Sequence, residues 1–317
     1  MFDKITIRVK LSNEECLWLS HLHLLHVWTN TDCTQVEYRS SEYSKISGIE
    51  ITIKRNFLTL KTSLHKYWNY KNYDKLRNDN LFTVSEAKSA FEMLLYENRL
   101  QSSKVRITQF EIGLNLNVSY DPLTFIEQVK HLPTSYNKLM FIDANYHINR
   151  QRTTEKYKDI RKYFKIYDKG WEMMEKKRKP TNQRDYKTNT LRIETCFRRH
   201  NDRGDKFFTD SNIDKLVTRF YSEWRNLFFT RDVIGRKGTR KSEIERATIF
   251  INEGKDSFLS ATISDFVNKK ITEQQFRTIR EFIRDFNKYQ GKFCVKISRQ
   301  EIEYKELLYK VFDVARK

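Results

Sequence analysis

Residues 107–118 read Ile-Thr-Gln-Phe-Glu-Ile-Gly-Leu-Asn-Leu-Asn-Val, with an apolar side chain at every second position from Phe110 onward. Successive side chains of a β-strand point to opposite faces. Phe110, Ile112, Leu114, Leu116 and Val118 therefore share one face, and Gln109, Glu111, Gly113, Asn115 and Asn117 share the other. Two later stretches repeat the pattern. In 162–169, Phe164 and Ile166 oppose Tyr163, Lys165, Tyr167 and Lys169; in 189–199, Leu191, Ile193, Thr195 and Phe197 oppose Arg192, Glu194, Cys196 and Arg198. If these strands pair, one face of the sheet is apolar, and the other gathers Glu111, Asn115, Lys165, Tyr167 and Glu194.

The flanking sequence supplies the rest of an α+β protein. Residues 2–9 alternate as a strand. Ser12-x-x-Glu15 is a capping box opening a helix with Trp18, Leu22 and Leu25 on one face. Ile49, Ile51 and Ile53, then Leu58, Leu60 and Leu64, predict a hairpin turning near Asn56, and Thr83-x-x-Glu86 caps a further helix. A short helix is expected around 122–130 and a strand at 139–148. From about 205 the periodicity is helical, over 210–229, 240–250, 256–268, 272–289 and 299–315, with breaks such as Gly235-Arg-Lys-Gly238. The expectation is a central antiparallel sheet with helices on one face, followed by a mainly helical C-terminal region. The boundary is placed near Arg203-Gly204, giving domains 1–203 and 204–317. No internal repeat or low-complexity segment is seen.

The chain has 317 residues, with 60 Lys+Arg against 41 Asp+Glu and a formal charge of +19. Only 8 Gly and 3 Pro exclude collagen-like and flexible-linker architectures. Cys16, Cys33, Cys196 and Cys294 form no C-x-x-C pair, against a zinc ribbon or a thioredoxin-like motif. Reduced thiols, a charged N-terminal stretch and no apolar run near the roughly 18 residues of a membrane span predict a cytoplasmic protein. The excess charge calls for an anionic partner. Nucleic acid is preferred to lipid, because no basic helix has the bare apolar face that interfacial binding requires. No G-x-x-x-x-G-K-[ST] motif is present, so unwinding would need a separate helicase.

The polar face of the three strands suits phosphodiester chemistry. Glu111 and Glu194 can hold a hard divalent cation, Mg²⁺ or Mn²⁺, that stabilises charge on a phosphate oxygen. Tyr167 is a nucleophile if its phenol is activated, and Lys165 and Lys169 flank it at i−2 and i+2. The competing reading is an ordinary solvated sheet face. Tyr157 and Tyr163 are rival nucleophiles. His65 is a possible further ligand, whereas His21-Leu-His23 falls in a helix, where i and i+2 diverge. Candidate DNA contacts are the run Lys176, Lys177, Arg178 and Lys179, with Arg192, Arg219, Arg225, Arg236 and Lys237. Origin reading is expected in 205–235, where Trp224 can equally be core.

Thr108-Gln-Phe-Glu-Ile-Gly-Leu-Asn-Leu116, Tyr163-Phe-Lys-Ile-Tyr-Asp-Lys169 and Leu191-Arg-Ile-Glu-Thr-Cys-Phe197 resemble, in order, three signatures of rolling-circle replication initiators. The closest resemblance is to the trans-acting plasmid Rep type and related phage proteins, tyrosine nickases related to the His-hydrophobe-His nucleases. It covers roughly residues 50–230. It implies that Tyr167 nicks origin DNA, leaving a 5′-phosphotyrosine and a free 3′-OH, with metal held by Glu111, Glu194 and the residue at Asn115. Asn115 stands where that pattern has an acidic residue. The implied partners are single-stranded or hairpin origin DNA and a host helicase, and the resemblance admits a homodimer. Two other readings stay open: a non-catalytic sequence-specific DNA-binding protein, and a metal-dependent nuclease in which water attacks.

Overall fold

The computed structural model describes residues 1–29, 36–40, 48–131, 141–142, 147–150, 162–176 and 189–317. The strands are β1 (Phe2–Lys10), β2 (His26–Thr29), β3 (Val36–Arg39), β4 (Ile49–Lys54), β5 (Phe57–Ser63), β6 (Arg106–Asn117), β7 (Val129–His131), β8 (Phe141–Ile142), β9 (His147–Arg150), β10 (Lys162–Asp168), β11 (Thr190–Arg203), β12 (Phe228–Phe229), β13 (Asp232–Gly235) and β14 (Phe293–Lys296). The helices are α1 (Asn13–Leu22), α2 (Leu64–Tyr73), α3 (Val84–Glu97), α4 (Pro122–Gln128), α5 (Lys169–Lys176), α6 (Gly204–Phe207), α7 (Asp210–Arg225), α8 (Lys241–Glu253), α9 (Lys255–Val267), α10 (Glu273–Arg284), α11 (Phe286–Tyr289) and α12 (Arg299–Ala315).

Ten of the described strands form one sheet in the order β2-β3-β4-β5-β1-β6-β11-β10-β9-β8. Neighbours run antiparallel throughout. The architecture is α+β, with a mainly helical C-terminal region over α8–α12. Among the described residues no helix is long and apolar enough to cross a membrane.

Local chemistry sets several of these elements. Ser12 and Thr83 cap α1 and α3 through reciprocal bonds with Glu15 and Glu86. The β4–β5 hairpin turns at Arg55 (φ 51°) and Asn56 (φ 61°), two successive left-handed residues that match the twist of the strands. The face buried by α1 differs from the expected one. Cys16, Leu19 and Ser20 are buried, while Leu22 is 48% exposed and Trp18 lies under the Arg99 guanidinium. The expected helix at 122–130 stops at Gln128, with β7 beginning at Val129, and the expected strand at 139–148 is described only at β8 and the start of β9.

The chain divides into two units. The first comprises Met1–Glu127, His131–Leu227 and Tyr304–Lys317; the second comprises Gln128–Lys130 and Phe228–Glu303. The division thus falls after Leu227 rather than at Arg203-Gly204. Gly204 is no linker: its N–H donates to the Val105 carbonyl at 3.0 Å, and a Cβ there would meet the Ser102 carbonyl at 2.8 Å.

In the first unit, α7 buries Ile213, Val217, Phe220 and Trp224, spaced for one helical face. Trp224 is fully buried. Its Nε1 donates to Thr195 Oγ1 on the apolar side of β11 at 3.0 Å, and its carbonyl accepts from the Tyr304 hydroxyl at 2.9 Å. Trp224 is therefore core. The second unit pairs β13 with β14 and packs Ala247, Phe258, Phe282, Ile283 and Phe293 into its own core. A buried Glu301 carboxylate there receives the Arg231 guanidinium.

Removing the indole leaves a cavity in the first unit and orphans Thr195. Trp224→Ala is expected to cost about 3–5 kcal/mol, read as a lower midpoint in urea denaturation with an unchanged slope. Trp224→Phe is expected to recover most of that loss.

Candidate functional site on strands β6, β11 and β10

Register assembles the site. Across β6, β11 and β10 the opposed residues are Asn115, Arg192 and Tyr167 in one row, then Gly113, Glu194 and Lys165, then Glu111, Cys196 and Tyr163. A shift by one residue on any strand would turn its whole set to the opposite face. The middle row explains the glycine. A Cβ on Gly113 would lie 3.0 Å from both Glu194 Cγ and the Ile193 carbonyl, so glycine leaves space for the Glu194 side chain.

Glu194 is the hub. Its Oε1 accepts from the Tyr167 hydroxyl at 3.0 Å and from Arg192 Nε, and its Oε2 lies 2.6 Å from Lys165 Nζ. Lys165 also donates to Glu111 Oε1 at 3.2 Å. Arg192, only 2% exposed, pairs with Asp3 on β1 and donates to Asn115 Oδ1 at 2.8 Å. Asp3 in turn accepts from Ser63 and Asn78.

Burial and these contacts shift each group's pKa in a definite direction. Burial works to raise the Glu194 carboxyl, but the Arg192 guanidinium and Lys165 ammonium outweigh it and hold it down at about 2. Burial opposes the Lys165 charge, yet Glu194 and its neighbours keep the ammonium firmly protonated. Tyr167 is 4% exposed. Burial first, and then the Glu194 charge, push its phenol well above the ordinary value of 10. The Cys196 thiol is raised by burial and by Glu111.

The structure thus brings together Tyr167, Lys165, Glu111 and Glu194, and it separates the other candidates. Lys169 does not continue the strand. Asp168 Oδ1 accepts from the Trp171 N–H at 3.0 Å, as an N-cap does, so Lys169 opens α5 and its buried ammonium pairs with Glu172 at 2.5 Å. The oxygen of Asn115 is taken by Arg192, and its amide donates to the Asn78 carbonyl at 3.0 Å. His65 lies in the first turn of α2 rather than at a strand end. It is buried, stacked on Phe82 at 4.4 Å and hydrogen-bonded to Asn80 at 2.8 Å; burial lowers its imidazole to about 3.

Arg192 is corrected as a DNA contact, because two carboxylates neutralise it inside the protein. Arg219 is exposed on α7 and pairs with Glu223 at 3.0 Å; Arg225 is exposed at the end of that helix. Arg236 and Lys237 are exposed after β13 in the second unit. Lys176 ends α5, while Lys177, Arg178, Lys179 and Tyr157 lie outside the described residues. His21 is exposed, and His23 bonds Asn98 at 2.7 Å.

Sequence reasoning missed Asp3 and the part played by Cys196. Asp3 had a signal, a lone acid among the inward residues of β1. Cys196 was already on the polar face, and with Glu111 and Glu194 it places three ligand atoms within 4.8 Å of one another. An open cleft of about 480 Å³ lies over this end of the site, lined by Lys4, Lys66, Glu111, Tyr163, Cys196 and Arg198 among others. Tyr163 is half-buried there beneath the Arg198 guanidinium, 4.6 Å from its ring; burial and Cys196 raise its phenol to about 12.

Asp3 holds the network from β1. Burial favours its neutral acid, but Arg192 overrides this and keeps the carboxyl well below the usual range. A depressed native value contributes stability that is complete above the unfolded value of about 3.9 and is lost as pH falls toward the native one. Asp3→Asn is expected to cost about 3 kcal/mol at pH 7, since it leaves Arg192 partly uncompensated. In urea denaturation its deficit against wild type should narrow steadily below about pH 4.

No protein-family model and no curated protein matches the chain. The functional reading therefore rests on the geometry of these three strands.

Proposed function

We propose that the protein is a replication initiator of the rolling-circle type, which nicks and rejoins single-stranded or hairpin origin DNA through Tyr167. The observation that carries this reading is the Tyr167 hydroxyl, 3.0 Å from Glu194 Oε1, in a cluster with Lys165 and Glu111. The resemblance of the three strand sequences to initiator signatures supports it, as does the formal charge of +19.

In the proposed reaction the Tyr167 phenolic oxygen attacks phosphorus. An O–P bond forms, the P–O3′ bond breaks, and the strand is left with a free 3′-OH and a 5′-phosphate on the tyrosine. The Glu194 carboxylate orients the phenol through the hydrogen bond it accepts. As the substrate alters the surroundings the phenolic proton is released to solvent in the cleft, and the departing 3′ oxygen takes a proton from that solvent. Because the phosphodiester becomes a phosphotyrosine, the bond energy is conserved for rejoining.

In the free protein the phenol is kept neutral, so attack awaits a substrate that changes its surroundings. Lys165 is placed to pair with the incoming phosphate. Glu111 and Glu194 would hold a divalent cation of the Mg or Mn class, and an enclosed Glu111 oxygen that accepts no hydrogen bond fits such a ligand. When bound, the cation neutralises charge on the phosphate oxygens. The reading implies a cytoplasmic protein acting with a separate helicase.

One observation favours a second nucleophile. Tyr163 lines the open cleft, whereas Tyr167 lies beneath the surface.

Labelled single-stranded oligonucleotides covering the origin, incubated with the protein and Mn²⁺, distinguish the readings on one denaturing gel. A covalent adduct is expected that disappears in Tyr167→Phe and persists in Tyr163→Phe. The opposite pattern moves the nucleophile to Tyr163. Cleavage surviving Tyr167→Phe without adduct, and lost in Glu111→Gln, identifies a hydrolytic nuclease. Salt-sensitive binding with no cleavage identifies a regulator.

A further inference from the structure

The Lys165 ammonium lies 2.6 Å from Glu194 Oε2 and 3.2 Å from Glu111 Oε1. It sits where a cation shared by two carboxylates would sit, tethered to β10. Its pairing leaves the cluster unsaturated. Glu111 is 8% exposed, and its Oε2 is enclosed and accepts no hydrogen bond. The Lys4 ammonium lies 3.8 Å from that oxygen. The Cys196 sulfur faces the same space, within 4.8 Å of ligand oxygens from both glutamates. Arg192 does not compete for the free oxygen, because its guanidinium is spent on Asp3, Asn115 and Glu194.

We infer that Glu111, Glu194 and Cys196 form a cation-exchange site, in which the Lys165 ammonium is the resident ion and a sulfur-accepting divalent metal displaces it. A thiolate ligand selects metals of the zinc class over Mg²⁺, which demands oxygen ligands and octahedral geometry. Zn²⁺ and Cd²⁺ should therefore bind more tightly than Mn²⁺, and Mn²⁺ more tightly than Mg²⁺. The exchange balances. The metal enters, the Cys196 thiol loses its proton to solvent on becoming a ligand, and the Lys165 side chain, on its flexible four-carbon stem, swings into the adjoining cleft. The inference concerns the face assigned to nicking, but it requires neither DNA nor cleavage, so it can hold or fail independently of that proposal.

Calorimetric titration of the full chain with Cd²⁺, together with the ultraviolet absorption of a thiolate–cadmium bond, tests it. Wild type is expected to bind one Cd²⁺ with the appearance of that absorption. Cys196→Ser should abolish the absorption, and Glu111→Gln should weaken binding at least about tenfold, the change that about 1.4 kcal/mol produces. Lys165→Gln should bind Mn²⁺ at least about tenfold more tightly than wild type, because the competing ammonium is gone. Removing Lys165 takes away a charge partner of two buried carboxylates, leaving Glu194 to Arg192 and Glu111 to Lys4, so each variant is first checked for the wild-type thermal midpoint. If Lys165→Gln does not fold, the Cys196→Ser comparison alone decides. Absorption that survives Cys196→Ser, arising from other cysteines, overturns the inference. So does a folded Lys165→Gln with unchanged Mn²⁺ affinity.

Discussion

Glu194 can lie under three donors only because β6, β11 and β10 pair in one register. That register places Lys165 and Gly113 on either side of Glu194, and Tyr167 one step along beside Arg192. It is enforced from the opposite face. Phe110, Ile112, Leu114 and Leu116 meet Phe197, Thr195, Ile193 and Leu191 in turn, and Trp224 of α7 closes over Thr195. Burying the apolar side of the sheet thus positions the polar side, since a slip by one residue would exchange the two.

The polar side carries an unusual concentration of enclosed charge. Asp3, Glu194, Arg192 and Lys169 are each 3% exposed or less. Such groups are tolerated where each meets an opposite charge and its hydrogen bonds are filled. Among the described residues Glu194 Oε2 is met by the Lys165 ammonium as an ion pair, whereas Glu111 Oε2 is enclosed and accepts no hydrogen bond, with the Lys4 ammonium 3.8 Å away. Two strands distant in sequence supply the compensation, since the Asp3 partner of Arg192 comes from β1, 189 residues away. The network therefore joins the start of the described chain to the center of the sheet.

The same charges that locate Tyr167 also silence it. A phenol that donates to a carboxylate and is cut off from solvent stays protonated. In the proposed reaction this becomes a safeguard, because the nucleophile acts only once a phosphate has altered the balance of charge around Lys165. Tyr163, toward the open end of the same face, has the reverse combination of access and looser support.

Much of this was legible in the sequence because period-two alternation is a local property. The three strands, the capping boxes at Ser12 and Thr83, the Asn56 turn and the common face of Glu111, Tyr167 and Glu194 all follow from side-chain spacing. What spacing could not decide is which polar residues on that face meet solvent and which meet one another. Arg192 reads as a surface arginine until Asp3 arrives from β1 to bury it, and Lys169 reads as a strand residue until Asp168 caps the helix that begins there. Cys196 gains its meaning only beside two glutamates, and Asn115 loses its oxygen to a neighbour. Alternation along a strand is a property of the backbone, which the sequence by itself determines; partnership across strands depends on contacts between residues far apart in the chain, and tertiary structure alone decides it.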